Sequence, residues 1–425
     1  MGIRGESDRT VADQGGLTGE ELSRTAAIGR WTHIVLLALG VAAVVGVFVL
    51  PVFLLKLGVL IGGAGCIAWV LLPRALGPER ARSVALGLVV SAMTLGVSLI
   101  VGELVVRMVF ADVTTTADDR SYFAQRWRAT LPPPNALGYR EREVTPLPRD
   151  WVYRIAVIGD SFTWGQGIAH GDRMSDRLQA MMDAADPGRL EILNFGRPGA
   201  ETVDHVETLR DVVLPLLPDY VLMQWYSNDV EGRDKSGRPR AARLVPSDAA
   251  STWLREHSAL YYLLNNRWGR LQGALGLVGH YQDYMFARFG DPSLPDLGVA
   301  MDALREFVAL ARGAGVDVGI VAFPETVLVD SVSDFPYAYL FERLSEVCRE
   351  DAFECLDLRE AYLAISSTDG LWASRLDHHP GPLANAVAAE AVMQAFGDHW
   401  RRAARVRAKS RRGPTRDPPR GSPPP

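Results

Sequence analysis

Three long apolar stretches near the start of the chain dominate its hydrophobic pattern. They cover residues 33–55, 57–72 and 84–102, and Lys56 separates the first two. A helix needs about 20 apolar residues to cross the hydrocarbon core of a bilayer, so the first two stretches suit a pair of helices joined by a tight turn. We therefore predict three transmembrane helices within residues 31–109.

Two other structures would also produce apolar stretches. A secretory signal peptide lies nearer the N-terminus and ends at a cleavage site of small residues, which this region does not resemble. A buried bundle in a soluble protein consists of amphipathic helices, and these stretches have few polar positions.

The arginines around the apolar stretches predict their orientation. Cytoplasmic flanks of membrane helices carry an excess of basic residues. The turn between the first two spans has only Lys56, whereas the N-terminal segment 1–30 and the loop between the second and third spans are rich in arginine. Both of these segments are therefore expected in the cytoplasm, and three crossings place the rest of the chain outside it. The arginines concerned are Arg4, Arg9, Arg24, Arg30, Arg74, Arg80 and Arg82.

After residue 150 the chain alternates between short apolar runs and longer amphipathic segments. The runs predict buried strands, and the amphipathic segments predict helices. Strands that alternate with helices indicate a parallel sheet covered on both faces, in a domain that we place at residues 151–405. The predicted strands are 153–158, 190–194, 220–225, 316–323 and 352–356, and the predicted helices are 172–185, 203–216, 297–312 and 384–405.

Three segments fall outside this alternation. Residues 110–150 are polar and Pro-rich, and we expect a linker that also packs on the domain edge. Residues 231–295 form an insertion, which suits either a lid over the sheet edge or extra packing helices without a substrate role. Residues 406–425 are basic and Pro-rich and lack the apolar content to fold, so a disordered tail is expected.

Composition excludes some classes of function. The chain of 425 residues has a net charge of −5, which is too mild to indicate a nucleic acid partner. Its three cysteines show no metal-ligand spacing. Cys348 and Cys355 flank a short loop, and outside the cytoplasm a disulfide between them is permitted but not required.

The strongest chemical signal is the sequence Ile158-Gly-Asp-Ser-Phe-Thr-Trp-Gly165, directly after the first predicted strand. Ligands of open parallel sheets bind at the carboxyl ends of the strands, and Ser161 occupies such an end. A serine there exposes its hydroxyl, and helix N-terminal amides stabilise developing negative charge. The alternative is that Ser161 only caps the helix.

A serine nucleophile needs a base, and the base needs an orienting group. His378 and His379 lie in the loop before the last predicted helix, and Asp377 is close enough in sequence to hold a histidine ring. An exposed polar loop is the alternative for this motif.

A tetrahedral intermediate also needs hydrogen-bond donors. Gly199 follows the second strand and allows a backbone N–H to approach an oxyanion. Asn228 follows the third strand and carries a side-chain amide for the same oxygen. Glycine turns and Asn-Asp pairs are common in loops, so each signal is weak alone.

These motifs occur in an order that resembles the SGNH (GDSL-type) hydrolases over about residues 150–400. The resemblance implies a flavodoxin-like three-layer α/β/α fold of about five parallel strands. It also implies a Ser-His-Asp mechanism that uses neither a metal nor a cofactor. The matching residues are Ser161 in Gly159-Asp-Ser161, Gly199 in Pro-Gly-Ala-Glu-Thr, Asn228 in Asn-Asp, and Asp377 and His379 before Pro380.

The resemblance assigns a role to each of these residues. Ser161 is the nucleophile, His379 the base and Asp377 the orienting carboxylate. The oxyanion hole consists of the N–H groups of Ser161 and Gly199 and the amide of Asn228.

Two positions depart from the family's pattern. The family often places the aspartate three residues before the histidine, but Asp377 is two before His379. This spacing also occurs in membrane-linked branches, and it favours His379 over His378. The family usually has glycine before the asparagine, whereas this chain has Ser227, which puts the backbone of that turn in question.

We therefore predict a membrane-anchored serine acyl-ester hydrolase, similar to esterases and deacetylases, that acts on acylated carbohydrate or lipid at the cell surface. An O-acyltransferase or O-acetyltransferase of surface polysaccharide with the same residues is the close alternative. A non-catalytic binding scaffold is a third possibility, which the complete residue set argues against. The expected partners are the acylated substrate and, through three helices, membrane lipid.

Overall fold

The computed structural model describes residues 78–146 and 151–410, together with six isolated positions between residues 34 and 67. The chain divides into two compact units, Met1–Val109 and Phe110–Pro425. The predicted cytoplasmic segment and, apart from the isolated positions, the first two predicted spans lie outside the described residues.

Helices and strands alternate along most of the described chain after residue 150. The helices are α1 (Pro78–Val109), α2 (Tyr122–Arg128), α3 (Ser161–Trp164), α4 (Met174–Ala185), α5 (Thr202–Thr208), α6 (Asp248–His257), α7 (Ala259–Ala274), α8 (Tyr281–Phe289), α9 (Pro295–Gly313), α10 (Ala338–Glu350), α11 (Arg359–Leu363) and α12 (Pro382–Ser410). The strands are β1 (Tyr153–Gly159), β2 (Leu190–Gly196), β3 (Tyr220–Tyr226), β4 (Asp317–Phe323), β5 (Glu354–Asp357), β6 (Trp372–Ser374) and β7 (Asp377–Pro380). Short π or 3₁₀ turns cover Leu209–Val213, Leu214–Leu216, Ser227–Val230 and Val332–Asp334.

Helix α1, in the first unit, is the one helix within the described ranges that is long and apolar enough to cross a membrane, over Leu86–Val109. Its apolar side chains are largely exposed, and Leu95, for example, is 60% exposed. A core helix of a soluble protein buries such side chains, whereas a lipid-facing helix exposes them. The part of the chain that the structure describes thus contains one candidate for the three predicted spans.

Strands β1 to β5 form one parallel sheet in the order β2-β1-β3-β4-β5. This is the order of flavodoxin-like folds, in which the strand order reverses between β1 and β3. Every residue of β1 is buried, because helices cover both faces of the sheet. The prediction of an α/β fold with about five parallel strands is confirmed.

A hydrophobic core lies on each face of this sheet. Successive strand residues face opposite sides, so Met223 of β3 belongs to one core and Leu222 to the other. The first core includes Phe307 of α9, and the second includes Leu178 of α4 and Trp400 of α12. The two cores hold the sheet rigidly between two helical layers.

The segment 110–150, which we expected to be a linker that also packs on the domain edge, belongs to the second unit. Helix α2 lies within it, and Val113 and Phe123 are fully buried. Arg140, also buried, donates hydrogen bonds to the backbone oxygens of Gly165 at 2.7 Å and Ile168 at 2.8 Å. Isolated apolar residues among polar ones gave no periodic signal, yet they pack against the sheet domain. Residues 110–146 are thus a structural part of the domain.

Two further features of the fold differ from the sequence predictions. Helix α12 continues past Arg405 to Ser410, so the first residues of the expected disordered tail are helical, and residues 411–425 lie outside the described part. Strands β6 and β7 pair as a short antiparallel hairpin that the sequence did not predict. Three- and four-residue strands are too short to show an alternating pattern.

The insertion at residues 231–295 contains helices α6, α7 and α8, and α7 covers the helical patch that the sequence indicated. A disulfide joins Cys348 to Cys355, with a Cα–Cα distance of 6.1 Å. The bond links the end of α10 to β5, the edge strand of the sheet.

Candidate active site

Ser161 begins α3 at the carboxyl end of β1. Asp160 is the N-cap of this helix, and its Oδ1 accepts a hydrogen bond from the Phe162 N–H at 2.8 Å. The alternative that Ser161 itself only caps the helix is therefore wrong. Its hydroxyl is left for other partners at the edge where the strand order reverses.

The short helix α3 approaches the ends of two strands so closely that both need glycine. A Cβ on Gly159 would collide with the side chains of Thr163 and Gln224, and one on Gly196 would collide with the backbone of Trp164. Position 159 of the Gly-Asp-Ser motif therefore requires glycine for steric reasons, because a side chain there would prevent the first turn of α3 from packing against the sheet.

The structure brings Ser161, His379 and Asp377 into one hydrogen-bonded line. Ser161 Oγ lies 2.9 Å from His379 Nε2, and His379 Nδ1 lies 2.5 Å from Asp377 Oδ1. Alternate residues of a strand face the same side, so the two-residue spacing on β7 places the Asp377 and His379 side chains together. This arrangement matches the geometry of a nucleophile, a base and an orienting carboxylate.

His378 lies outside this line. It is exposed, and its ring stacks on Trp372 with centroids 4.3 Å apart and an interplanar angle of 17°. Because it lies between Asp377 and His379 on β7, its side chain faces the other way. The structure therefore favours the same histidine as the sequence.

The surroundings of His379 adjust its pKa. Burial has the largest effect and lowers the pKa of the imidazole. The hydrogen bond that His379 donates to Asp377 and the negative charges of Asp377, Asp160 and Glu325 outweigh burial, so the pKa of His379 is raised overall. A raised pKa strengthens the imidazole as a proton acceptor for Ser161.

Asp160 is a second carboxylate near Ser161. Burial, followed by the charge of Asp229, raises the pKa of Asp160 to about 7. Its Oδ2 lies 3.4 Å from Ser161 Oγ, which is longer than a normal O–H···O hydrogen bond. The shorter contact to His379 makes the imidazole the better-placed base.

Gly199 and Asn228 follow β2 and β3, the two strands that flank β1. Gly199 has a φ of 73°, a left-handed conformation that favours glycine. Asn228 lies in the 3₁₀ turn after β3, and Asp229 Oδ2 fixes that turn by accepting the Tyr226 N–H at 3.0 Å. The carboxyl ends of adjacent parallel strands share one sheet edge, so both residues lie at the edge that carries Ser161.

The side-chain oxygen of Asn228 is buried and has no hydrogen-bond partner within the described ranges. Such groups are rare and point to a position where a ligand completes the bonding. Asn228 is therefore suited to contact substrate.

Glu325, on the loop after β4, is a site residue that sequence reasoning missed. It accepts hydrogen bonds from Ser227 Oγ at 2.8 Å and from the Tyr226 hydroxyl. Ser227, the departure from the family's glycine, thus anchors the Asn228 turn to a half-buried carboxylate. The available signal was a carboxylate just past a predicted strand, at the carboxyl edge of the sheet.

The ring of Phe162 completes the wall of the site. Its centroid lies 4.2 Å from that of Tyr226 and 5.5 Å from that of His379. Phe162 therefore packs against both His379 and the Asn228 side of the site. Among the described residues, no group of three or more His, Cys, Asp or Glu is placed to hold a metal ion.

Comparison with known proteins identifies related sequences for this part of the chain. A model of the GDSL-like Lipase/Acylhydrolase family matches residues 157–387. The match covers more than half of the chain and includes all five residues assigned above. A comparison with curated proteins found no match.

Several solved structures are also similar. An α/β hydrolase, LAE5, from the metagenome of Lake Arreo has 18% identity and a TM-score of 0.37, with 59% of this chain and 98% of LAE5 covered. A variant of the acetylxylan esterase Axe2 of Geobacillus stearothermophilus has 16% identity and a TM-score of 0.36, with 58% and 95% covered. A lipolytic protein of the G-D-S-L family from Veillonella parvula has 15% identity and a TM-score of 0.34, with 58% and 99% covered. At these identities and scores the likenesses carry no argument about activity.

Proposed function

Because this chain belongs to the GDSL-like lipase/acylhydrolase family, we propose that it hydrolyses acyl esters with Ser161 as its nucleophile. The observation that carries this proposal is the aligned contact of Ser161 Oγ with His379 Nε2 at 2.9 Å and of His379 Nδ1 with Asp377 Oδ1 at 2.5 Å. A structural hydrogen-bond network would not require a serine at the strand-order reversal together with a half-buried histidine and a buried carboxylate.

The proposed reaction proceeds in two stages. His379 Nε2 takes the proton of Ser161 Oγ, which attacks the ester carbonyl carbon, while Asp377 stabilises the imidazolium. The backbone N–H groups of Ser161 and Gly199 and the side-chain amide of Asn228 donate to the oxyanion. His379 then gives the proton to the leaving alcohol, and an acyl group remains on Ser161.

Water releases the acyl group in the second stage. His379 takes a proton from the water, the resulting hydroxide attacks the acyl carbon, and Ser161 Oγ leaves with that proton. A sugar hydroxyl in place of water would make the same site an O-acyltransferase. We propose hydrolysis of acylated carbohydrate or lipid at the cell surface as the main activity.

The membrane location is a separate part of the proposal. The exposed apolar surface of α1 supports a helix in lipid, and the Cys348–Cys355 disulfide supports a domain in an oxidising compartment outside the cytoplasm. Recovery of the protein in the pellet after alkaline carbonate extraction would support the anchor. Release into the supernatant would contradict it.

The test of the chemistry replaces the proposed nucleophile. Ser161→Ala should abolish hydrolysis of a short p-nitrophenyl ester and labelling by a fluorophosphonate probe, while the melting temperature stays near that of wild type. Ser366→Ala, at an exposed serine, is the matched control and should keep full activity. Full activity in Ser161→Ala would reject the proposal. Acyl release from candidate glycans with and without an acceptor alcohol would separate hydrolysis from transfer.

A further inference from the structure

We propose that Gln166 is a positioning residue of this site, and that the segment Val113–Thr116, which follows α1 in the chain, holds Gln166 in place. The inference rests on the proposed ester hydrolysis and concerns how Asp377 keeps its orientation. It extends the functional unit beyond the region that the family model matches, which begins at residue 157.

Gln166 joins two partners through one amide nitrogen. Its Nε2 donates to Asp377 Oδ2 at 3.3 Å and to the backbone oxygen of Thr116 at 3.0 Å. A side-chain amide nitrogen carries two hydrogens, so both bonds form at the same time. Gln166 therefore bridges the carboxylate of the proposed triad to the segment after α1.

The bond to Gln166 fixes the rotation of the Asp377 carboxylate. Asp377 is 1% exposed. Its Oδ1 already accepts hydrogen bonds from His379 Nδ1 and from the backbone N–H of His379, the latter at 3.1 Å. A donor on Oδ2 holds the second oxygen away from the histidine, so Oδ1 stays aligned with Nδ1. An isolated charged oxygen at such a buried position would be costly, and the carboxylate would turn to find another partner.

The turn that carries Gln166 is itself fixed. Its N–H donates to the backbone oxygen of Ser161 at 3.1 Å, directly after the left-handed Gly165. Arg140 clamps the same turn through its hydrogen bonds to Gly165 and Ile168. The side chain of Gln166 is thus positioned from the same helix that presents the nucleophile.

The segment Val113–Thr116 lies between the nucleophile turn and the hairpin that carries Asp377. Thr114 Oγ1 donates to the backbone oxygen of Gly167 at 2.8 Å, and Ser374 Oγ on β6 donates to the backbone oxygen of Thr115 at 2.6 Å. Thr115 and Thr116 are fully buried, and a Cβ on Gly167 would collide with the Thr115 side chain. These contacts connect the turn after Ser161 and the hairpin that carries Asp377 to the same segment, Val113–Thr116.

A merely structural role would also explain buried hydrogen bonds, so the test must separate it from positioning. Gln166→Glu keeps the size of the side chain but replaces the donor with a second carboxylate beside Asp377. The added charge should stabilise the protonated form of His379, which Asp377, Asp160 and Glu325 already face. The lower pH limit of activity should therefore move upward by roughly one unit.

The experiment uses the full-length chain with wild type, Gln166→Ala and Gln166→Glu, and Gln394→Ala at an exposed position as the matched control. We expect Gln166→Ala to lower kcat for a p-nitrophenyl ester by about 10- to 100-fold with KM nearly unchanged, as misplacement of a catalytic group does. We also expect Gln166→Glu to lose rate and show the upward pH shift. Ser374→Ala, which removes the bond to Thr115, should reduce kcat by a smaller factor.

Three outcomes would overturn the proposal. These are full kcat in Gln166→Ala, a Gln166→Glu pH profile that coincides with wild type, and losses in both variants that follow only a fall in melting temperature. Ser161→Ala, assayed alongside, separates this failure from failure of the proposed function. If Ser161→Ala keeps turnover, the hydrolase proposal fails. If Ser161→Ala is inactive and the Gln166 variants behave as wild type, only the positioning role fails.

Discussion

Removal of the Cys348–Cys355 disulfide should lower stability by an amount that follows from the length of the loop it closes. The two cysteines are seven positions apart, so the bond closes a loop of eight residues. In the chain-entropy account, a loop of this size restricts the unfolded state by about 2.5 kcal/mol. This is small because a short loop has little freedom to lose.

The corresponding change in melting temperature follows from the size of the second unit. At about 2.1 cal/mol/K per residue, a unit of roughly 300 residues has an unfolding entropy near 0.6 kcal/mol/K. A loss of about 2.5 kcal/mol then lowers the melting temperature by about 4 °C. Turnover should stay within about 2-fold of wild type, since β5 lies at the far edge of the sheet from the β1–β3 reversal.

The assay is thermal unfolding of the full chain in detergent, followed by fluorescence, for wild type and the double variant Cys348→Ala/Cys355→Ala. Each is measured with and without reductant. Reduced wild type should melt where the double variant melts, and reductant should leave the double variant unchanged. Equal melting temperatures of oxidised wild type and the double variant would refute the loop-entropy reasoning. A loss of turnover beyond 10-fold would refute the separation of β5 from the site.

Two other predictions concern the chemistry of the site. Asp377→Asn should lower kcat by about 10³- to 10⁴-fold with little change in KM, because the amide keeps the space but not the charge or the correct histidine tautomer. Asp330→Asn, at an exposed position, is its control, and comparable losses in both variants would refute the role of Asp377. Glu325→Gln removes a negative charge that helps to raise the pKa of His379. His379 should then become protonated only at lower pH, so the acid limb of the pH–rate profile should move to lower pH. An unmoved or upward-shifted limb would contradict this electrostatic role.

Some features of the site follow from local sequence. The apolar run before Gly159-Asp-Ser161 predicted a buried strand that ends at a serine, and the structure has β1 there, followed at once by α3. The spacing of Asp377 and His379 also has a local cause, because residues two apart on a strand face the same side. Such inferences work because strand period and helix capping depend on a few neighbouring residues.

The hairpin of β6 and β7 shows where local sequence was insufficient. Its two strands are short and show no alternation of apolar and polar residues, so their pairing could not be predicted from the sequence of either strand alone. The segment 110–146 had the composition of a linker, but its few apolar residues are buried because the sheet domain offers them a surface. Whether an isolated apolar residue is buried depends on the surface that it packs against, and the spacing of apolar residues along the chain does not encode that surface.

The sequence by itself determined the α/β class, the strand that ends at Ser161 and the identities of the five residues that resemble the family's motifs. Only the tertiary structure decided that His379 Nε2 lies at hydrogen-bond distance from Ser161 Oγ, how Glu325 supports Ser227 and that Gln166 joins Asp377 to Thr116. The physical reason is that strand and helix signals arise within about ten residues of chain. The four contacts just named span 50 to 218 positions, and they exist only once the sheet has brought its strand ends together.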